Sequence, residues 1–200
     1  MAFRSAPQLV LASASPRRQE LLQQIGVSFT VSPVDIDESP LMDESPATYV
    51  ERMALEKARA GWETSNKTLP VLGSDTAVVI DEQILGKPRD RAHGMQMLQQ
   101  LSGRDHTVMT AVALVREHET GIRLSESKVL FSDIPYEELI RYWESGEPAD
   151  KAGAYAIQGK AAVFIRRLEG SFSGVMGLPL NETAELLTSF GIDLTLNWQK

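Results

Sequence analysis

Two hundred residues with 42% hydrophobic content are enough for one cored domain, or two closely joined lobes, and no disordered or coiled-coil signature is present. The formal charge of -7 argues against broad nucleic-acid binding, which draws its affinity from a positive field over phosphates, although a local cluster of basic groups can still hold a small anion. Cysteine is absent, which removes disulfides, thiol catalysis and cysteine-held metals, and no apolar run approaches the roughly 18 residues of a membrane span.

The N-terminal stretch MAFRSAPQ lacks the apolar core of a signal peptide, so the expectation is a soluble, cytoplasmic protein with neither a membrane nor a nucleic acid as partner. Leu9 to Ala12 read as a short strand. Ser15 is a candidate N-cap with Pro16 at the first helical position, and Leu21, Leu22 and Ile25 recur at helical spacing before Gly26. FTVSPVDIDESP alternates loosely and ends in an acidic loop carrying Asp35, Asp37 and Glu38. Ser45 and Pro46 open a second helix, expected to run to about Ala60 with Gly61 as its stop. LPVLGSDTAVVID is the clearest buried strand, and ILGKPRD is a second short strand and loop. Asp90 caps a predicted helix reaching Leu101, with Ala92, Met95, Leu98 and Leu101 turned inward. HTVMTAVALV, the turn HETG and IRLSESKVLFSDI read as a long antiparallel hairpin. A helix is predicted from Pro135 to Ser145, a loop of small residues at DKAGAYAIQG, and a strand at AAVFIRRL. SFSGVMGLPL then leads to a last helix capped by Asn181 and ended by Gly191. Alternating strands and helices around a long hairpin imply an α/β architecture on a mixed sheet.

Several polar residues stand against this pattern. Arg17 and Arg18 fall in the first helical turn, where free N–H groups and the macrodipole favour an anion by roughly 0.3–1 kcal/mol. A phosphate taken up by the loop N–H groups, the Ser13 and Ser15 hydroxyls and both guanidinium groups would resolve the conflict; two solvent-screened surface arginines would also satisfy it. Asp75 sits among apolar residues, where a carboxylate needs a partner, a metal or nearby N–H groups. Thr76 points the opposite way in a regular strand, so both serve one site only at a strand end or a bulge. Lys57 shares the inward face of its helix with Val50, Met53 and Ala54, as a buried ammonium or a snorkelling one. Lys87 lies in a loop whose path Gly86 and Pro88 restrict. Glu38 and Asp75 together offer the oxygens that a divalent cation selects, and Gln158 carries the donor and acceptor needed to read a base edge.

No GxxxxGK[ST] loop, no GxGxxG helix start and no HExxH motif occurs. LASASPRRQELL, ERMALEKARA, VLGSDTAVVID, LGKPRD, LSGRDHTVMTAV and KAGAYAIQG, in this order, resemble the Maf family of nucleoside triphosphate pyrophosphatases from about Leu9 to Gly191. That resemblance implies a two-lobed, ITPase-like α/β fold in which an elongated mixed sheet is flanked by helices around a central cleft, with residues 1–200 as one nucleotide pyrophosphatase domain, commonly homodimeric. It implies hydrolysis of nucleoside triphosphates to the monophosphate and pyrophosphate with a divalent cation, Mg²⁺ or Mn²⁺. Residue by residue, Ser13, Arg17 and Arg18 would hold the triphosphate and Asp75 would be the catalytic acidic residue, as base, metal ligand or both. Glu38, Lys57 and Lys87 match further polar positions of the cleft, Glu38 as a metal ligand with Asp75. Arg17, Thr76 and Gln158 agree with the branch acting on dTTP and UTP, which would also permit removal of non-standard nucleotides. The alternatives are the sister activity on 7-methyl-GTP and a septum-related role in cell division through a protein partner.

Overall fold

The computed structural model describes residues 6–194 and Trp198; the first five residues of MAFRSAPQ, read above as lacking a signal peptide, lie outside this range. Strand β1 (Leu9–Leu11) is buried throughout and leads into helix α1 (Pro16–Gln24), then β2 (Phe29–Val31) and the acidic loop. Helix α2 (Pro46–Thr64) starts as expected, with the Ser45 hydroxyl accepting from the Thr48 N–H. The central strands follow: β3 (Val71–Ile80), β4 (Gln83–Leu85), helix α3 (Arg91–Leu101), β5 (Asp105–Arg116) and β6 (Glu119–Phe131). The chain closes with α4 (Tyr136–Glu144), three 3-10 turns between 147 and 164, β7 (Ile165–Glu169), α5 (Phe172–Met176) and α6 (Leu180–Ser189).

These strands form one seven-stranded sheet of order β2-β1-β3-β5-β6-β7, with β4 joined to β3. β1 runs parallel to β2 and β3, whereas β3, β4, β5, β6 and β7 pair antiparallel, so the sheet is mixed as expected. Period-two alternation sends Val71, Ala77 and Val79 of β3 towards α2, where they pack with Val50, Ala54, Ala58 and Trp62. Leu72 packs on the other face with Leu9, Leu22 and Leu186 from β1, α1 and α6. Farther along the same face, Val78 and Ile80 join Leu98, Leu139 and Phe131 in a separate cluster built on α3 and α4. The long strands therefore run through two lobes, and residues 73–77 of β3 lie between them.

That middle stretch has an open edge. β1 pairs with β3 only at Val71 and Leu72, and β4 only at Val78 to Ile80, so no described strand covers residues 73–77 on this side. Gly73 fixes how closely α2 approaches: a Cβ there would lie 2.2 Å from the Ala54 carbonyl oxygen and 2.6 Å from the Ala58 nitrogen. The helix backbone thus rests on the strand backbone, within reach of Asp75.

Several expected boundaries move. Gly61 does not stop α2, because it is a packing residue: a Cβ would lie 2.8 Å from Val71, and the helix continues to Thr64. In α3 the inward face contains Gly94 and Met97 with Met95, Leu98 and Leu101, and Ala92 is exposed. The Trp143 ring occupies the space of a Gly94 side chain, which turns the helix that way. The hairpin turns at Glu117 and His118, earlier than HETG, with Glu117 at φ 53°. AAVFIRRL is strand only from Ile165, and SFSGVM contains the short helix α5. Helix α6 begins after Pro179, and the Ser173 hydroxyl rather than Asn181 accepts from its first N–H, at Leu180.

One buried histidine ties the sheet to the loop of small residues. His106 Nε2 lies 2.8 Å from the Tyr155 hydroxyl, its ring meets Phe131 edge-on at 5.1 Å, and its Nδ1 has no hydrogen-bond partner. Burial lowers the His106 pKa from 6.5 to about 4, with Asp105 acting weakly the other way. The unfolded chain therefore takes up this proton at higher pH than the folded one, and the contribution is full above about pH 6.5 and lost as pH falls towards 4. Denaturant unfolding at stepped pH is expected to show a loss of about 3 kcal/mol across this window that is missing from His106→Phe. By the same measurement at pH 7, Gly73→Ala should cost about 1–3 kcal/mol through overpacking of α2 against β3.

Candidate active site

The loop after β1 begins the site. Ser15 is the N-cap of α1, yet its hydroxyl makes no capping bond, and its own N–H instead donates to the Ser13 hydroxyl at 3.2 Å. Arg18 in the first turn donates from Nη1 to the same hydroxyl at 3.1 Å, from Nε to the Gly177 carbonyl at 2.8 Å and, at 3.5 Å, from Nη2 to Thr76. Three of its five N–H donors are thereby used and the rest stay available to a ligand. Burial lowers the Arg18 pKa; Asp75 opposes this, Arg17 adds to it and Glu38 opposes it. Arg17 has no hydrogen bond or ion pair among the described residues, and its charge is felt at Arg18 and Asp150.

Thr76 and Ser74 share the Arg18 face of β3. The Ser74 hydroxyl donates to the Gly177 carbonyl at 3.0 Å, and Thr110, opposite Thr76 in the sheet, lies 3.0 Å from the Thr76 hydroxyl while donating to Gly174 at 2.8 Å. Gly177 ends α5 at φ 115°, a conformation for which glycine is suited, and so aims its carbonyl at Arg18 and Ser74 together.

On the other face, Lys57 Nζ lies 2.7 Å from Asp75 Oδ1 and 2.5 Å from Glu38 Oε1. Lys57 and Asp75 are buried, so the ammonium is paired rather than snorkelling. Glu38 is half-exposed; desolvation raises its pKa, but Lys57, then Lys87 and Arg18, outweigh this and hold it below the ordinary glutamate value. The acidic loop is held in place from α2. The Tyr49 hydroxyl donates to the Glu38 carbonyl at 2.9 Å, its own pKa pushed up to about 12 by burial and by Asp75 and Glu38. Arg52 grips both Glu44 oxygens, at 2.6 and 2.7 Å, and the Ser39 carbonyl at 3.1 Å.

Ser13, Arg18 and Thr76 thus form one hydrogen-bonded group, and Lys57, Asp75 and Glu38 another, on opposite faces of β3. No bulge is needed for Asp75 and Thr76 to serve one site, because the strand edge between them is open. Lys87 is exposed and joins through its charge on Glu38 alone, and Gln158 is exposed without a hydrogen-bond contact to the other candidates. Ser74 and Thr110 were legible only as hydroxyls in strands; Gly177, Tyr49 and Arg52 carried no sequence signal for this site.

Among the described residues no three His, Asp or Glu side chains gather as a ready metal cluster. Lys57 takes one oxygen from each of Asp75 and Glu38, leaving their second oxygens without hydrogen bonds to described residues. Two such oxygens, completed by phosphate and water, are the donors that Mg²⁺ accepts, so the residues fit a substrate-bound divalent cation.

The family described as Maf-like protein matches residues 8–190 of this chain. A dTTP/UTP pyrophosphatase of Alkalilimnicola ehrlichii is 54% identical over 197 residues, covering 96% of this chain and 97% of that protein. One from Saccharophagus degradans is 53% identical over 194 residues, covering 96% and 91%. The solved structure of the Staphylococcus aureus Ham1 protein is similar in fold alone, at 14% identity and a TM-score of 0.52 over 96% of this chain and 99% of that one. No helix among the described residues is long and apolar enough to cross a membrane.

Because breaking a buried pair strands the remaining charge, Lys57→Met is expected to lower unfolding free energy by about 3 kcal/mol at neutral pH. Glu38→Gln, at the half-exposed end of the same triad, should cost under about 1 kcal/mol in the same urea titration.

Proposed function

The chain belongs to the Maf-like protein family, and on that premise we propose that it hydrolyses dTTP and UTP to the nucleoside monophosphate and pyrophosphate. The observation that carries this reading is the gathering of cations from both faces of β3 around Asp75 at the open strand edge. Arg17, the unused donors of Arg18 and the N-terminal N–H groups of α1 form one phosphate-binding wall, and Lys57 and Lys87 supply charge from the other side.

In this reaction a water oxygen forms a bond to the α-phosphorus while the bond to the α–β bridging oxygen breaks and pyrophosphate leaves with the electron pair. Arg18 and Lys57, held by their partners before substrate arrives, offset with Arg17 and Lys87 the charge that develops on the leaving group. A divalent cation, Mg²⁺ or Mn²⁺, held by Asp75 and Glu38 would add charge neutralisation on the phosphate oxygens. Asp75 serves the water or the cation, and either role requires its charge. Gln158 presents its carboxamide from a turn tip, where it can accept from a pyrimidine N3–H and donate to the neighbouring carbonyl. Residues 1–200 are taken as one enzyme domain working as a cytoplasmic homodimer; the lack of cysteine suits a reducing compartment.

The test is a triphosphate panel with Mg²⁺ or Mn²⁺, its products separated by chromatography. Pyrophosphate and monophosphate from dTTP and UTP are expected; release of the nucleoside diphosphate with orthophosphate, or a preference for 7-methyl-GTP, would overturn the assignment. Asp75→Asn should lower kcat on UTP by at least about a hundredfold. Gln158→Ala should lower kcat/KM for dTTP and UTP roughly tenfold while leaving any residual GTP turnover unchanged.

A further inference from the structure

Gln158 gains its position from a backbone turn, and that turn is tied down at both ends. The Gly159 N–H donates to the Ala156 carbonyl at 3.0 Å, which leaves Gln158 at an exposed tip. On the entering side, the Ala156 N–H donates to the Tyr142 hydroxyl at 3.3 Å. On the leaving side, the Lys160 N–H donates to Glu147 Oε2 at 3.0 Å and the Ala161 N–H to Oε1 at 3.4 Å. The two anchors are themselves joined, because the Tyr142 hydroxyl donates to Glu147 Oε1 at 2.9 Å. Four hydrogen bonds therefore close a ring through one phenol, one carboxylate and the backbone on each side of Gln158.

The protonation states suit this ring. Burial raises the Tyr142 pKa and Glu147 adds to it, so the phenol keeps the proton that it donates. Desolvation works against the Glu147 charge, but the Lys160 N–H, the Tyr142 hydroxyl and the Ala161 N–H outweigh it and hold the carboxyl below its ordinary range. The contact is also close: a Cβ on Gly159 would lie 2.4 Å from Glu147 Oε2 and would displace that carboxylate. Tyr142 is held in turn by Phe164, whose ring it meets edge-on at 5.5 Å.

We propose that Tyr142 and Glu147 are positioning residues for base selection, a clamp that holds the Gln158 turn ready to read the pyrimidine edge. The proposal rests on the reading of Gln158 given above. A turn already ordered spares the nucleotide the entropy of ordering it, and this advantage is expressed in binding and in discrimination rather than in the chemical step.

Tyr142→Phe keeps the ring against Phe164 and removes only the hydroxyl, and Glu147→Gln is nearly isosteric. Each is expected to raise KM for UTP and dTTP roughly tenfold, to leave kcat within about twofold and to lower the UTP-over-GTP ratio of kcat/KM. The double variant should be no worse than the more affected single, because both remove one clamp. Gln158→Ala is run beside them. If it retains the pyrimidine preference, base reading by Gln158 fails and the clamp fails with it. Should it lose the preference while Tyr142→Phe and Glu147→Gln keep theirs, the clamp alone is overturned. An equal loss on every triphosphate accompanied by a lower Tm would also overturn it, since that is the signature of a general structural defect.

Discussion

A carboxylate in the middle of a buried strand requires a countercharge, and the requirement of Asp75 organises the structure around it. Lys57 answers it from α2, and it can do so only because Gly73 lets that helix rest directly on β3. The same ammonium reaches outward to Glu38, so the acidic loop is drawn against the site by the charge that neutralises the strand. Tyr49 and Arg52, on the same helix, then hold the loop backbone at the carbonyls of Glu38 and Ser39. One helix thus supplies the cation, the packing surface and the struts of the loop.

The opposite face of β3 follows a different logic. There the polar side chains are Ser74 and Thr76: Thr76 accepts from Arg18, and the Gly177 carbonyl takes a bond from Ser74 and fixes the Arg18 Nε. Arg18 gives up much of its hydration in this position, and the nearby carboxylates offset part of that cost across the strand. In a fully paired sheet these two sets of groups would be sealed from each other. Since β1 pairs with β3 no farther than Leu72 and β4 only from Val78, the edge of β3 is unpaired between them, with one set of groups on each face. The boundary between the two core clusters is therefore also a gap in strand pairing.

Charge is distributed to match. The chain is acidic overall, with a formal charge of -7, yet Arg17, Arg18, Lys57 and Lys87 all contribute to the surroundings of this edge. Arg17 and Lys87 have no hydrogen-bonded or ion-paired partner among the described residues, and Arg17 stands at a helix N-terminus where its own charge is unfavourable. The conflict seen in the first turn of α1 is thus half resolved by the protein, which partners Arg18 and leaves Arg17 without a bond among the described residues.

Periodicity, capping residues and the six ordered motifs were enough to read the mixed α/β class, the order of the main elements, Arg18, Lys57 and Asp75 as charges out of place, and Ser13, Thr76 and Glu38 as candidates beside them. Local chemistry decides such features: a Ser-Pro helix start, a charge on an apolar face, and strand alternation are set by neighbours a few residues away. Sequence alone also showed that Asp75 and Thr76 point apart, but not that the strand edge beside them is unpaired, because an open edge depends on where the pairing of two other strands ends. The Gly61, Gly94 and Gly73 contacts were equally hidden, since a glycine that admits a neighbour looks the same in sequence as one that ends a helix. Tyr142 and Glu147 bond a turn that begins 14 and 9 residues farther on, respectively, a partnership that only the folded path of α4 and the 3-10 turns creates. Sequence determined which residues needed partners; tertiary structure decided which partners they met, because long-range contacts are fixed by packing and strand pairing and leave no local period to read.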